Sequence, residues 1–308
     1  MPDGKPWPKI SVVTPSFNQG QFLEETIRSV LLQGYPKLEY IIIDGGSTDN
    51  SVDVIKQYAP WIDYWVSEKD NGQPHAINKG LARCTGGIFN WINSDDYLME
   101  GALRTVAENI GAHDLLAGAV LNFDEAGSSV EQSRDLTVAN ITGGSDGAQY
   151  RYNQQGTWLR LDKLRSTGNL NESFHYCFDL LMTLLYLDKY PDATYVNTVL
   201  GSYRFHDSSK TVGQKDLFAQ DRCALYQYLL DNNILPEFEK ILRRRAPSER
   251  FYYLINQILK DSASSGLVKI GKIIRAQMAN PRFLANRYAL GAIRRLAANP
   301  HYPRPAHD

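Results

Sequence analysis

Short apolar runs and stretches of helical spacing alternate over the first hundred residues. Residues 9–14 (Lys-Ile-Ser-Val-Val-Thr) form a β-branched run that stops at Pro15 and reads as a buried strand. Over 20–33, Phe22, Leu23, Ile27, Val30 and Leu31 share one side of a helix. Residues 38–43 predict a second strand, ended by Asp44-Gly45-Gly46, and Ser47 or Thr48 is placed to cap a helix over 49–57. A third strand is expected at 62–66, a helix at 73–82 and a fourth strand at 87–92. Short apolar strands separated by helices predict a mostly parallel α/β sheet.

The pattern then becomes mixed. A helix from Met99 to 110, a strand at 114–121, a helix at 176–188 and a strand at 194–204 are expected. Residues 122–150, rich in Gly, Ser, Asp and Asn, read as one long mobile loop. From Gln214 onward the spacing is helical throughout, over 214–231, 235–245, 248–260, 265–278 and 282–297, with a frayed tail at 300–308. The expected organisation is a catalytic domain over 1–212, in two halves (1–110 and 111–212), followed by a helical extension over 213–308.

A chain of 308 residues with 43% hydrophobic and 22% charged residues is an ordinary globular composition with ample core. Three widely spaced cysteines (Cys84, Cys177, Cys223) indicate neither a disulfide framework nor a thiolate metal site. No basic start leads into an apolar stretch and no run of 18 apolar residues occurs, so a cytoplasmic protein is expected. The net charge of −1 conceals an asymmetry: residues 241–308 carry 13 Lys and Arg against three acids. Basic, amphipathic helices in this tail suit an anionic membrane surface, or else form the solvated face of a helical cap. The acidic body argues against nucleic acid.

Ligands of a parallel sheet bind beyond the carboxyl ends of its strands. Here those ends read Pro15-Ser16-Phe17-Asn18, Asp44-Gly45-Gly46-Ser47-Thr48-Asp49, Ser67-Glu68-Lys69-Asp70-Asn71-Gly72 and Asn93-Ser94-Asp95-Asp96. One polar strand end is a turn; four on one sheet edge suggest a site. Adjacent carboxylates such as Asp95-Asp96 repel unless something relieves the repulsion. A hard divalent cation, Mn²⁺ or Mg²⁺, does so and bridges to phosphate oxygens. The same three residues, Ser94-Asp95-Asp96, would also serve as a helix N-cap. No GxGxxG follows the first strand, and Gly266–Lys272 mimics a P-loop without its Ser/Thr or its preceding strand.

Together these stretches resemble the family 2 glycosyltransferases of the bacterial polysaccharide type, inverting enzymes of GT-A fold. The matching segments are Ser11–Asn18, Ile41–Asp49, Ser67–Gly72 with Ala76–Gly80, and Trp91–Asp96. Weaker matches are Gln155-Gly156-Thr157-Trp158, Asn171–Phe174 with Asp179, and Tyr203-Arg204-Phe205-His206. The resemblance implies a nucleotide-sugar donor, commonly a UDP-sugar, and a glycan or lipid-linked acceptor. It implies donor contacts at Thr14, Pro15, Asn18, Asp44, Asp70, Asn78, Ser94 and Asp96, with Asp44 reading the base. It implies metal binding by Asp95 with Asp96, and His206 is a candidate further ligand. Asp179 is the implied general base that takes the acceptor proton, although the usual preceding Glu is replaced by Phe178. Thr157, Trp158 and His175 are expected on the acceptor side. Two other classes remain open: a sugar nucleotidyltransferase, which would need a basic Gly-rich first loop that is absent here, and a non-catalytic binding protein on the same scaffold.

Overall fold

A computed structural model describes residues 1, 4–143, 152–206, 209 and 214–298. Its strands are β1 (Ile10–Ser16), β2 (Leu38–Asp44), β3 (Tyr64–Ser67), β4 (Ile88–Trp91), β5 (Leu115–Phe123), β6 (Ser128–Gln132), β7 (Thr157–Arg160) and β8 (Ala193–Arg204). The helices are α1 (Gly20–Leu31), α2 (Ser51–Tyr58), α3 (Gln73–Arg83), α4 (Ala102–Asn109), α5 (Val138–Ile141), α6 (Leu161–Ser166) and α7 (Phe178–Lys189). They continue as α8 (Lys215–Asp231), α9 (Glu239–Lys260), α10 (Gly266–Ala279) and α11 (Arg287–Ala298). None of the described helices is long and apolar enough to cross a membrane.

All eight described strands join one sheet in the order β3-β2-β1-β4-β7-β5-β6, with β8 beside β5. β3, β2, β1 and β4 run parallel, whereas β7 enters antiparallel between β4 and β5. Side chains of β1 alternate between two cores, as the period of two requires. Val13 joins Ile41, Ile43, Ala76, Trp91 and Leu181 on one face, and Val12 joins Ile27, Tyr40, Ile42 and Leu103 on the other.

Three expectations change. Pro15 does not end β1: it lies opposite Ile43 in the β1–β2 ladder. The β1–β4 pairing stops at Val13, so proline falls where that side of the strand has no partner. The loop expected over 122–150 contains β6, which pairs with β5, and α5, capped by the Thr137 side chain. β6 (Ser-Ser-Val-Glu-Gln) is a largely exposed edge strand, so it lacks the apolar alternation that would have marked it. Residues 144–151 and the expected frayed tail at 300–308 lie outside the described residues. Finally, α9 is continuous through Pro247. The lost hydrogen bond and ring clash cost about 3 kcal/mol, which burial of Leu242 and Ala246 before the proline and Phe251 and Ile255 after it offsets.

The packing also divides later than residue 212. Leu225, Tyr226 and Leu229 of α8, with Leu242 and Ala246 of α9, belong to a sheet core. A third cluster begins at Phe251 and takes in Ile255, Ile273, Phe283, Ala289 and Leu296. One helix, α9, therefore serves two cores.

At the opposite end from the polar loops, Glu39 ties three segments together. Its carboxylate accepts from Lys9 Nζ at 2.6 Å, Thr85 N at 2.6 Å, Thr85 Oγ1 and Ser11 Oγ. Burial pushes the carboxyl up, but these donors outweigh it and bring it down to about 2 from an ordinary 4.5. The folded value lies below the unfolded one, so the stabilisation is complete above about pH 4.5 and is lost as pH falls towards 2. Glu39→Gln should cost about 2–3 kcal/mol at pH 7. Thermal melts at pH 7 and pH 3 check this: the gap between wild type and variant should narrow in acid, and a constant gap would refute the linkage.

Candidate active site

A cleft of about 740 Å³ opens at the carboxyl ends of β1, β2 and β4, across from the start of α7. Pro15, Phe17, Gln19, Gly45, Asp70, Ser94 and Asp95 line one part of it, and Gln154, Gln155, His175, Tyr176 and Asp179 another. Asp95 and Asp179, far apart in sequence, thus face one space.

The first wall is made by loops that brace each other. The Asp44 carboxylate is fully buried at the end of β2. It accepts from the Gly46 and Ser47 amides at 3.1 and 2.9 Å, from Ser67 Oγ at 2.7 Å and from Ser47 Oγ. Asn18, at φ 52°, accepts from the Thr48 amide at 2.8 Å, and its own amide donates to Ser47 Oγ at 2.8 Å. Asp49, rather than Ser47 or Thr48, accepts from the Ser51 amide at the start of α2 and also from the Gly20 amide. Partial burial raises its carboxyl, and these donors more than reverse that, leaving it lowered. A Cβ on Gly45 would lie 2.6 Å from Asp70 Oδ2, so any larger residue there would require the Asp70 side chain to move. In this geometry Asp44 and Asn18 shape the loops instead of lining the cleft.

The second wall is the Asn93–Asp96 turn. Asp96 is buried, and its carboxylate accepts from Asn93 Nδ2 at 3.1 Å, Gln155 Nε2 at 2.9 Å and the Arg204 amide at 2.9 Å. Burial, then the neighbouring Asp95 charge, push its carboxyl up, against those three donors. Three donors within the protein thus occupy this buried carboxylate, and Asp96 does not line the cleft. Asp95 is the carboxylate that reaches the cleft, with Oδ2 3.0 Å from His206 Nε2. Arg204 secures the turn: its Nε donates to the Asp95 carbonyl at 3.0 Å, its tip pairs with Glu25, and it lies over Phe22 and Phe123. Thr26 Oγ1 holds the Ser94 and Asp96 carbonyls from below.

The third wall is the start of α7. Asp179 sits in its first turn, and its Oδ1 is 2.7 Å from the Leu180 amide. The peptides leading to it are held by Asp221 of α8, whose Oδ2 accepts from the Tyr176 and Cys177 amides at 2.8 Å each. His175 is exposed beside Gly72, and both line the cleft.

Four expected site residues lie elsewhere. Thr14 is buried beneath the loop, 3.0 Å from the Tyr40 hydroxyl. Asn78 faces the 170–172 segment, donating to the Leu170 carbonyl and Glu172 and accepting from the Leu170 amide. Thr157 and Trp158 are buried in β7, with Thr157 Oγ1 donating to the Asn153 carbonyl. The turn just before them, Gln154-Gln155, lines the cleft in their place. Phe17, 59% exposed, and Tyr152 and Tyr176 also line it without having been singled out. The segment after His206 is described only at Ser209; Asp207, Ser208, Lys210 and Thr211 lie outside the described residues, as do His301 and His307.

The family model for glycosyl transferase family 2 matches residues 11–178, more than half of the chain and both sides of this cleft. This chain belongs to glycosyl transferase family 2. Against relatives at 40% identity it spans only about a third of their length. The GalNAc(5)-diNAcBac-PP-undecaprenol beta-1,3-glucosyltransferase of Campylobacter jejuni is 25% identical over 213 residues, 67% of this chain and 68% of that protein. Residues 1–349 of S. aureus TarS, in complex with UDP-GlcNAc, superpose with a TM-score of 0.63 at 17% identity, covering 92% of this chain and 88% of that one. Mannosyltransferase PcManGT from Pyrobaculum calidifontis, in complex with GDP-Man and Mn²⁺, gives 0.57 at 19% identity, covering 96% and 84%. These likenesses establish the GT-A fold: an α/β, mostly parallel sheet flanked by helices, with helices at the C-terminus.

Proposed function

We propose that this family 2 protein transfers a sugar from a nucleoside diphosphate, UDP favoured, to a hydroxyl of a glycan or lipid-linked acceptor, with inversion. The observation that carries this reading is the convergence of Asp95 and Asp179 on one cleft. The nucleotide would lie along Pro15, Phe17, Gln19 and Gly45, where the exposed Phe17 ring offers a face to a base. Ser16 Oγ and Gln19 Oε1 are buried there without a hydrogen-bond partner among the described residues, and a polar ligand would satisfy both.

A divalent cation fits the Asp95–His206 pair. One carboxylate oxygen and one imidazole nitrogen converge at a partly open position, and Mn²⁺ or Mg²⁺ commonly takes its remaining ligands from phosphate and water. The described residues offer no cluster of three or more His, Cys, Asp or Glu that would bind a metal without such help. When bound, the ion would supply charge neutralisation for the departing diphosphate. Asp179 would take the proton of the acceptor hydroxyl as its oxygen bonds to the anomeric carbon and the bond to the diphosphate breaks. His175, Tyr176 and Gln154 would border the acceptor.

A screen of UDP-, GDP- and TDP-sugars with Mn²⁺ or Mg²⁺, read as thermal stabilisation and donor hydrolysis, tests the reading. Silence from all of them would sink it. Base selection gives a narrower test. Since Asp44 holds the loop that carries Gly45, Asp44→Ala should raise the donor KM about tenfold with a smaller change in kcat. Preference for a purine-nucleotide donor would remove uridine from the proposal.

A further inference from the structure

Residues 262–298 contain no Asp or Glu and carry seven Lys and Arg. Two of the seven are engaged locally: Lys269 donates to the Leu259 carbonyl at 2.8 Å and Lys272 pairs with Asp261 at 2.7 Å. Arg275, Arg282, Arg287, Arg294 and Arg295 are exposed and have no acidic partner among the described residues.

The same segment turns apolar side chains to the outside. α10 buries Ile273 and Gln277 against the third core. Leu267, Ile274 and Met278 are 77%, 43% and 68% exposed. Spacings of seven and four residues put these three on one stripe of the helix, with Arg275 next to it. Val268 and Leu284 are also about half exposed in this acid-free stretch, at 49% and 53%.

We propose that this face docks on an anionic lipid bilayer, with the Leu267–Ile274–Met278 stripe in the headgroup boundary and the unpaired arginines on lipid phosphates. The combination selects the occupant. An apolar stripe beside uncompensated cations matches a surface that is apolar just below an anionic plane. A second copy of the chain would bring the five arginines without an acidic partner against five more. A soluble polyanion would leave the apolar stripe in water.

The test is flotation of the full chain with phosphatidylcholine vesicles and with vesicles that also contain phosphatidylglycerol. The wild type should float with the anionic vesicles, release at high salt, and stay behind with the neutral ones. Leu267→Gln with Met278→Gln, and Arg275→Gln with Arg282→Gln, change exposed side chains and should keep the wild-type melting temperature. Each pair should lower the partition coefficient on the order of tenfold, given about 1 kcal/mol per basic residue near the surface. Failure of the wild type to float, equal binding to neutral vesicles, or variants that float like the wild type would each overturn the proposal. So would a dimer in sedimentation that Leu267→Gln with Met278→Gln dissolves, since the stripe would then belong to a second copy. Donor hydrolysis in vesicle-free solution reports separately on the transferase reading.

Discussion

Asp179→Asn is expected to bind sugar nucleotide as the wild type does and to lose about 10²–10⁴ in kcat for transfer. The substitution keeps the size of the side chain and removes the proton acceptor at the one carboxylate that faces the cleft from α7. Its contact with the Leu180 amide survives, because an amide oxygen accepts as a carboxylate oxygen does. Loss of charge in the first turn of α7 should cost no more than about 1 kcal/mol. Calorimetry of donor binding beside NMR of product formation separates the two effects. The same spectra report the anomeric configuration: one displacement inverts it, and a retained configuration would sink the single-displacement mechanism. Near wild-type kcat in Asp179→Asn would move the base to another group, Asp70 on the facing wall being next.

Asp95→Ala should act differently, on the donor itself. Removing the carboxylate that reaches the cleft should lower kcat on the order of 10³ or more, since several kcal/mol of stabilisation for the leaving group depend on the ion it would hold. Affinity for the nucleoside diphosphate should fall more than affinity for the nucleoside, because the nucleoside carries no phosphate for an ion to bridge. EDTA should reproduce the loss in the wild type, and Mn²⁺ or Mg²⁺ should restore it there but not in the variant. Full activity in EDTA, or in Asp95→Ala, would take the metal out of the proposal.

The sheet and the position of the cleft were legible from the chain because they rest on a strong signal, apolar runs that break into Asp, Asn, Gly and Ser. What a motif does not specify is side-chain direction. Pro15, Asp70, Ser94, Asp95, His175 and Asp179 line the cleft. Thr14, Asp44 and Asp96 belong to the same motifs yet turn inward, held through Tyr40, Ser67 and Gln155, while Asn18 stays exposed and braces the loop through Thr48. Thr157 and Trp158 are buried in β7: the turn that delivers Gln154 and Gln155 to the cleft comes three positions earlier, ahead of a short strand without its own sequence signature. Arg204 lies within a matching motif, but its hold on the acid turn runs across more than a hundred residues, and a single sequence carries no trace of such a contact. Asp221 was invisible for the same reason.

Helix α9 behaves as an axle. Its far half packs with the helices after Lys260, and its near half is tied to α8 where Glu249, itself braced by Arg245 one turn earlier, pairs with Arg222. Beside Arg222 stands Asp221, which grips the two peptides leading into Asp179. A chain of contacts, Glu249 to Arg222 and the adjacent Asp221 to the Tyr176 and Cys177 amides, thus runs from α9 to the segment that precedes Asp179. Changes in length after Lys260 leave the axle untouched. One residue inserted between Ala246 and Glu249 would index its outer half by about 100°, and the outermost helices would then point in a new direction while the sheet beneath stayed where it was.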